Sequence, residues 1–171
     1  MLETPRLELR RFSAEDAAFI LELLNDPSFL RYIGDKGVRN TADACEYIRS
    51  GPEASYERFG FGLYLVALKE SGEKIGMCGL LKRETLEDVD VGFAFLPCFW
   101  AKGYAIESAS AVLAHARDDF GLDRVVAITS PDNVASIKLL EKLGFRFERM
   151  ARLSADAPEV KLFAFNHRAS H

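Results

Sequence analysis

DVDVGFAFLPCFWAKGYAIESASAVLAHAR, residues 88–117, reads as a strand, a loop and a helix in that order. Val89 to Leu96 is apolar, β-branched and aromatic, a composition that suits a strand. Pro97 ends it, because proline cannot donate to a sheet ladder. After a loop from Cys98 to Gly103, a helix is expected from about Ala105. It puts Ile106, Ala109, Val112, Leu113, Ala116 and Phe120 on or near one face. Its small Ala and Ser positions let it lie close to a sheet. A strand feeding a helix through a glycine loop makes an anion site, since the first helical N–H groups have no intrahelical partner and sit at the positive end of the dipole. Gly103 lets a phosphate approach the backbone without a Cβ in the way. The same residue is also ordinary turn chemistry. The stretch lacks the GxGxxG of dinucleotide folds and the GxxxxGK[ST] of P-loops.

Downstream, Gly121 closes the helix as a C-cap, and Arg124 to Thr129 forms a strand. Strand, helix and strand make a β-α-β unit whose two strands lie parallel. A further helix follows, with Asn133 as its N-cap and Gly144 just past its end, where Phe145 packs back on Leu140. Phe145 to Arg152 and Val160 to Phe165 are two closing strands. Upstream, Leu63 to Leu68 and Lys74 to Leu81 form a hairpin about the Glu70-Ser71-Gly72-Glu73 turn. With the Val89 strand they make an antiparallel meander. The chain begins with a short alternating strand at Leu7 and Leu9. A helix over Ala17 to Leu24 follows a Ser13/Asp16 capping box. One or two helical turns cover Phe29 to Ile33. A helix capped by Thr41 ends by Gly51-Pro52, with another turn from Glu53 to Phe59.

The 171 residues suit one domain with a substantial core. A net charge of −4, with no dense Lys/Arg block, argues against nucleic acid as a partner. Cys45, Cys78 and Cys98 are odd in number and scattered, which disfavours zinc and a disulfide framework and fits a reducing cytoplasm. No apolar run reaches membrane-spanning length, and the charged N-terminus has no apolar signal core, so no membrane partner is expected.

Trp100-Ala101-Lys102-Gly103-Tyr104-Ala105, followed by Glu107, resembles the coenzyme A pyrophosphate loop of the GNAT N-acyltransferases, Q/R-x-x-G-x-G/A. It is closest to the WGKGYAxE form of the Rim-type, ribosomal-protein N-acetyltransferase-like branch. Trp100 replaces the Q/R, as that branch usually has it. Ala101 replaces the first Gly, which narrows backbone freedom but removes no N–H donor. Asn133, Ser136, Lys142, Gly144 and Phe145 match every fixed position of the family's second motif, N-x-x-S-x-x-x-x-x-K-x-G-F. The opening TPRLELR resembles the branch's TxRLxLR. The resemblance runs from Arg6 to Phe165.

It implies an α+β fold: a mixed, mostly antiparallel central sheet of about seven strands, a β-α-β cofactor unit, and helices on both faces. One acyltransferase domain would cover residues 1–166, with 167–171 a frayed tail. The implied activity is transfer of an acetyl group from acetyl-CoA to a primary amine, a protein N-terminus or a small amine, by direct attack in a ternary complex without a metal. The alternative is a non-catalytic acyl-CoA-binding module. The protein would act as a monomer or homodimer.

By the same resemblance, the backbone of Ala101, Lys102, Gly103, Tyr104 and Ala105 takes the pyrophosphate, and Phe93, Ala94 and Phe95 meet the pantetheine arm. For that, the two parallel strands must splay, and Gly92 either allows a bulge there or is a packing glycine. The Ala94 amide faces the thioester carbonyl as oxyanion donor. Asp90 stands where many relatives carry a glutamate base, one methylene shorter; the competing reading is a solvent-facing strand residue matched by Asp88. Ser136 is either the acid that protonates the leaving thiolate or a helix-start serine; Asn133 is an N-cap that also contacts the cofactor. Glu107 reads as a dipole or packing residue.

Overall fold

The computed structural model describes residues 1–167 of the chain. Its eight strands are β1 Leu2–Glu3, β2 Leu7–Arg11, β3 Leu63–Leu68, β4 Lys74–Leu81, β5 Asp90–Phe95, β6 Arg124–Thr129, β7 Arg146–Ala151 and β8 Val160–Asn166. Its six α-helices are α1 Ala17–Leu24, α2 Pro27–Tyr32, α3 Thr41–Ile48, α4 Ala54–Phe59, α5 Tyr104–Phe120 and α6 Val134–Leu143. The strands form one sheet in the order β1-β2-β3-β4-β5-β6-β8-β7. Every neighbouring pair is antiparallel except β5 and β6. The strand beyond the expected seven is the two-residue β1, too short to carry an alternation signal.

Three core clusters cover the sheet, and the two larger ones sandwich it. Val91, Phe95, Val125 and Ala127 pack on one face against Ala109, Val112 and Ala116 of α5 and Leu140 of α6. Leu63, Leu65 and Met77 pack on the other against Ile20 and Leu24 of α1 and Ala44 and Ile48 of α3. Alternation along β5 therefore sends odd-numbered side chains to the α5 face and Asp90, Gly92 and Ala94 to the α1–α3 face.

Three local expectations are corrected. The N-cap of α3 is Asn40, whose Oδ1 accepts from the Asp43 N–H at 2.8 Å; Thr41 is the first helical residue. Gly51-Pro52 does not end the helical run. A π-helical turn over Arg49–Glu53 carries it into α4, with Pro52 buried. The wider turn accommodates the N–H that proline lacks. Gly92 makes no bulge, because the β4–β5 register is continuous from Gly76↔Phe95 to Leu81↔Asp90. A Cβ there would lie 3.0 Å from Leu81 Cδ1, so Gly92 is a packing glycine. The tail assigned to 167–171 falls, beyond His167, outside the described residues; the His167 N–H itself donates to the Asp123 carbonyl at 2.8 Å.

Candidate active site

β5 and β6 are joined by one register pair, Asp90↔Val126. The Val126 N–H donates to the Val89 carbonyl at 3.0 Å, and the strands diverge beyond that point. The C-terminal halves of both strands thus border a gap. The loop into α5 lies at the end of one strand and the loop into α6 at the end of the other, the usual place for a ligand beside parallel strands.

The direction of the β5 backbone follows from its two ends. The Val89 carbonyl points to β6, whereas the Leu96 N–H donates to Ile75 at 3.0 Å, on the β4 side. With no register shift between, N–H and C=O groups of Val91, Phe93 and Phe95 face β6, and those of Gly92 and Ala94 face β4. This overturns the role expected for the Ala94 amide. Ala94 is tied to its partner Met77, and its side chain packs in the α1–α3 core. Phe93 and Phe95 present the gap-facing backbone, and the Phe95 carbonyl accepts from Trp100 Nε1 at 2.8 Å. Trp100, half exposed, thereby pins the loop to the end of β5.

The loop ends in an α5 terminus built for an anion. Gly103 is the N-cap at φ 83°, with no side chain capping the helix. The first intrahelical bond is Glu107 N–H to Gly103 O at 3.0 Å, which leaves the N–H groups of Tyr104, Ala105 and Ile106 directed out of the helix end. Ala101 adopts φ 60°, alone among described non-glycine residues in that region. Ala101→Gly should therefore raise stability by about 0.5 kcal/mol, the left-handed cost relieved less the added freedom of the unfolded chain, read from the urea midpoint.

One brace was not legible in the sequence. Glu107 accepts from Arg6 Nε at 2.8 Å, from the Arg6 N–H at 3.0 Å and from the Thr4 hydroxyl. Arg6 Nη1 also donates to the Lys102 carbonyl at 3.0 Å, and the guanidinium lies 4.5 Å over the Tyr104 ring. The TPR opening and the KGYAIE stretch are thus two halves of one clamp on the loop. No local pattern could join residues so far apart in sequence.

At the other loop, Asn133 Oδ1 caps α6 by accepting the Ser136 N–H at 3.2 Å. Ser136 is half-buried in the first turn. Arg31 of α2 pairs with Asp132 at 3.7 Å, bringing the α1–α3 face to this loop.

Asp90 stands where the strands begin to part. It is 1% exposed, so the solvent-facing alternative does not hold. Arg83 Nε reaches its two oxygens at 3.2 and 3.4 Å. Burial pushes its pKa up to about 6, against the lowering effect of Arg83. Sequence reasoning missed Arg83 because it sits in the connection between β4 and β5, where a charge reads as solvated.

A backbone-lined gap, an uncapped helix N-terminus and a buried carboxylate therefore meet where the two parallel strands part. A family model described as an acetyltransferase (GNAT) domain matches residues 6–146. The chain belongs to the GNAT acetyltransferases. The N-acetyltransferase YoaA of Bacillus subtilis is 30% identical over 154 residues, 89% of this chain and 86% of its own. An acetyltransferase from Agrobacterium tumefaciens superposes with a TM-score of 0.82 at 24% identity, covering 96% of this chain and 93% of its own. The Salmonella typhimurium acetyl transferase that modifies the N-terminal serine of L7/L12 superposes with a TM-score of 0.79 at 18% identity, covering 95% and 96%. Both structural likenesses establish the GNAT fold. GNAT acetyltransferases draw their acetyl group from acetyl-CoA. Among the described residues no helix is long and apolar enough to cross a membrane.

Proposed function

We propose that this GNAT chain, as one domain over residues 1–166, acetylates a primary amine by direct attack in a ternary complex with acetyl-CoA. The observation that carries this reading is the single β5–β6 register pair, with Asp90 at the point of divergence and the uncapped α5 terminus at the far end of the gap. Bound acetyl-CoA supplies an activated thioester carbonyl. The backbone N–H groups of Tyr104, Ala105 and Ile106, with the loop from Ala101 to Gly103, hold the pyrophosphate. The gap-facing backbone of Phe93 and Phe95 aligns the pantetheine arm as an added strand would. The Phe93 N–H, nearest the divergence after Val91, donates to the thioester oxygen in place of Ala94.

Asp90 removes the proton that keeps an amine of ordinary pKa, about 10, from attacking at neutral pH. A carboxylate buried to a pKa of about 6 is mostly ionised at neutral pH and still basic enough to accept. Ser136 donates to the leaving sulfur from the α6 turn, held there by the Asn133 cap. The free thiols of Cys45, Cys78 and Cys98 accord with a reducing cytoplasm.

Thermal unfolding with acetyl-CoA tests the donor site. Binding at a hundredfold excess over Kd adds roughly 2.7 kcal/mol to apparent stability. Gly103→Asp puts a Cβ at φ 83°, 3.1 Å from Arg6 Nη2, and a negative charge at the helix end. It should weaken acetyl-CoA about thirtyfold. An unchanged affinity would remove the loop from the site. A shift in the wild type without thiol release over an amine panel would favour the acyl-CoA-binding module.

A further inference from the structure

The α1–α3 side of Asp90 carries charges that the transfer chemistry alone does not use. Arg83 engages Asp90 through Nε; among the described residues its two terminal nitrogens have no hydrogen-bonding partner. Its side chain is 32% exposed. Tyr47 of α3 also feels the Arg83 charge. Lys82, the next cation, is committed: its ammonium donates to the carbonyls of Arg83 and Leu86 at 3.0 and 2.6 Å, fixing the connection that presents Arg83. Arg83 and Lys82 thus bring two cations to the neighbourhood of one buried carboxylate, and an anion on the free Arg83 nitrogens would offset the excess positive charge.

Next to this group lies a cavity of about 270 Å³, lined among others by Tyr47, Arg58, Leu63, Leu81 and Lys82. No described residue lining it carries a carboxylate. Leu81 is the cross-strand partner of Asp90 and shares its face of the sheet. Leu81 and Leu63 also approach the place where a Gly92 side chain would stand. Through Leu81 the cavity lies on the face of the sheet to which the Asp90 side chain points.

We infer that the acceptor is a free α-amino acid, with its amine at Asp90, its carboxylate on the terminal nitrogens of Arg83, and its side chain in the Leu63–Leu81 cavity. This rests on the acetyltransferase reading of the same site. The spacing supports it: Asp90 and Arg83 are in direct contact at 3.2 Å, so the complementary cation and anion of the ligand must also be adjacent. In an α-amino acid one carbon separates them. A protein N-terminus offers an amine at that place but an uncharged amide where Arg83 needs an anion, and a polyamine adds a cation there. In the transfer, the amine nitrogen forms the amide bond, the carbonyl–sulfur bond breaks, Asp90 takes the amine proton and the thiolate leaves to be protonated. The acceptor carboxylate takes no part beyond orientation.

The test uses the full chain, saturating acetyl-CoA and L-amino acids, each beside its own carboxamide and beside peptides with the same first residue. Thiol release is the first readout. The preferred amino acid should exceed its carboxamide in kcat/KM by about a hundredfold, the value of a charge-assisted pair. That ratio should fall at least tenfold in Arg83→Gln and in Arg83→Lys; the lysine keeps a cation for Asp90 but not the two terminal nitrogens, so the test stays valid if Arg83→Gln fails to fold. As a second readout, the same amino acid should raise the unfolding midpoint of the coenzyme A-saturated protein, and Arg83→Gln should abolish the rise. Carboxamides or peptides reacting as well as free acids would overturn the inference. So would a ratio unmoved in both variants, or no response to any amino acid from a protein that binds acetyl-CoA. A folded protein that fails to bind acetyl-CoA would instead overturn the acetyltransferase reading beneath it.

Discussion

Asp90→Asn is expected to lower kcat/KM about a thousandfold at neutral pH, within the range for loss of a positioned general base. Acetyl-CoA affinity should stay within about twofold, because the side chain points to the face opposite α5. Asparagine keeps an oxygen for Arg83 Nε and nearly the same volume, so the change isolates the ionisable proton acceptor. The pH profile gives a sharper signature. With Asp90 raised to about 6 by burial, kcat/KM of the wild type should climb as pH rises through that value. The variant should lack this limb and show only that of the amine, at about 10 for an alkyl amine. Stability moves oppositely. The folded protein holds the Asp90 proton to about 6, whereas an unfolded Asp releases it near about 4. Stability from this group is therefore present at low pH and lost between those values as pH rises. Asp90→Asn should flatten that dependence. A variant inactive merely through unfolding would show the reverse, so paired rate and urea measurements separate the two. Superimposable pH–rate profiles would dismiss Asp90 as the base.

Most of what places this site was legible because it is local. The proline-ended strand, the Gly103 loop, the Asn133 cap and the Gly144 stop each depend on a few consecutive residues, and each appears where the chain predicts it. What escaped depends on direction or distance. The family resemblance puts the Ala94 amide on the cofactor, but which way an amide points is set by register with β4. That register became definite only from the Val89 and Leu96 bonds at either end. The solvent-facing alternative for Asp90 fails for a similar reason. A polar residue in an alternating strand of an antiparallel meander reads as solvent-facing, yet here both faces of the sheet are covered. Arg83 and the Arg6–Glu107 clamp are long-range ion pairs with no periodicity to announce them. The Gly51-Pro52 pair shows the opposite error. A strong local stop signal was overridden because burying Pro52 against the fold outweighed the break it imposes on an α-helix.

The largest effect on folding is expected at a residue remote from the chemistry. Asp16→Ala should destabilise the protein by about 3 kcal/mol at neutral pH, the lower end of what breaking a buried ion pair costs. Asp16 is fully buried at the start of the α1 region. It accepts from Arg10 at 2.8 and 3.0 Å, from Lys74 at 2.7 Å and from the Ser13 N–H at 3.0 Å. One carboxylate thus ties β2, β4 and the turn into α1 together. Burial raises its pKa, but the hydrogen bonds from Arg10, Lys74 and Ser13 outweigh that and hold it at about 2. The sign is the usual one for a depressed acid: the contribution is present above the unfolded value, about 4, and is lost as pH falls toward about 2. Arg10 and Lys74 are each about one-third exposed, at 35% and 33%, so solvent screens both partners. Discounted for that screening, the pH-dependent part is about 1.5 kcal/mol. The difference between wild type and Asp16→Ala, measured by urea unfolding, should therefore narrow by roughly a quarter to a third between pH 7 and pH 3. A difference independent of pH would mean that Asp16 contributes packing and backbone capping rather than charge. The consequence for the site is indirect but specific. β4 leads into the connection that presents Arg83 and pairs with the whole of β5, so loosening its first residue should raise hydrogen exchange in β4 and β5 before α5 or β6 responds.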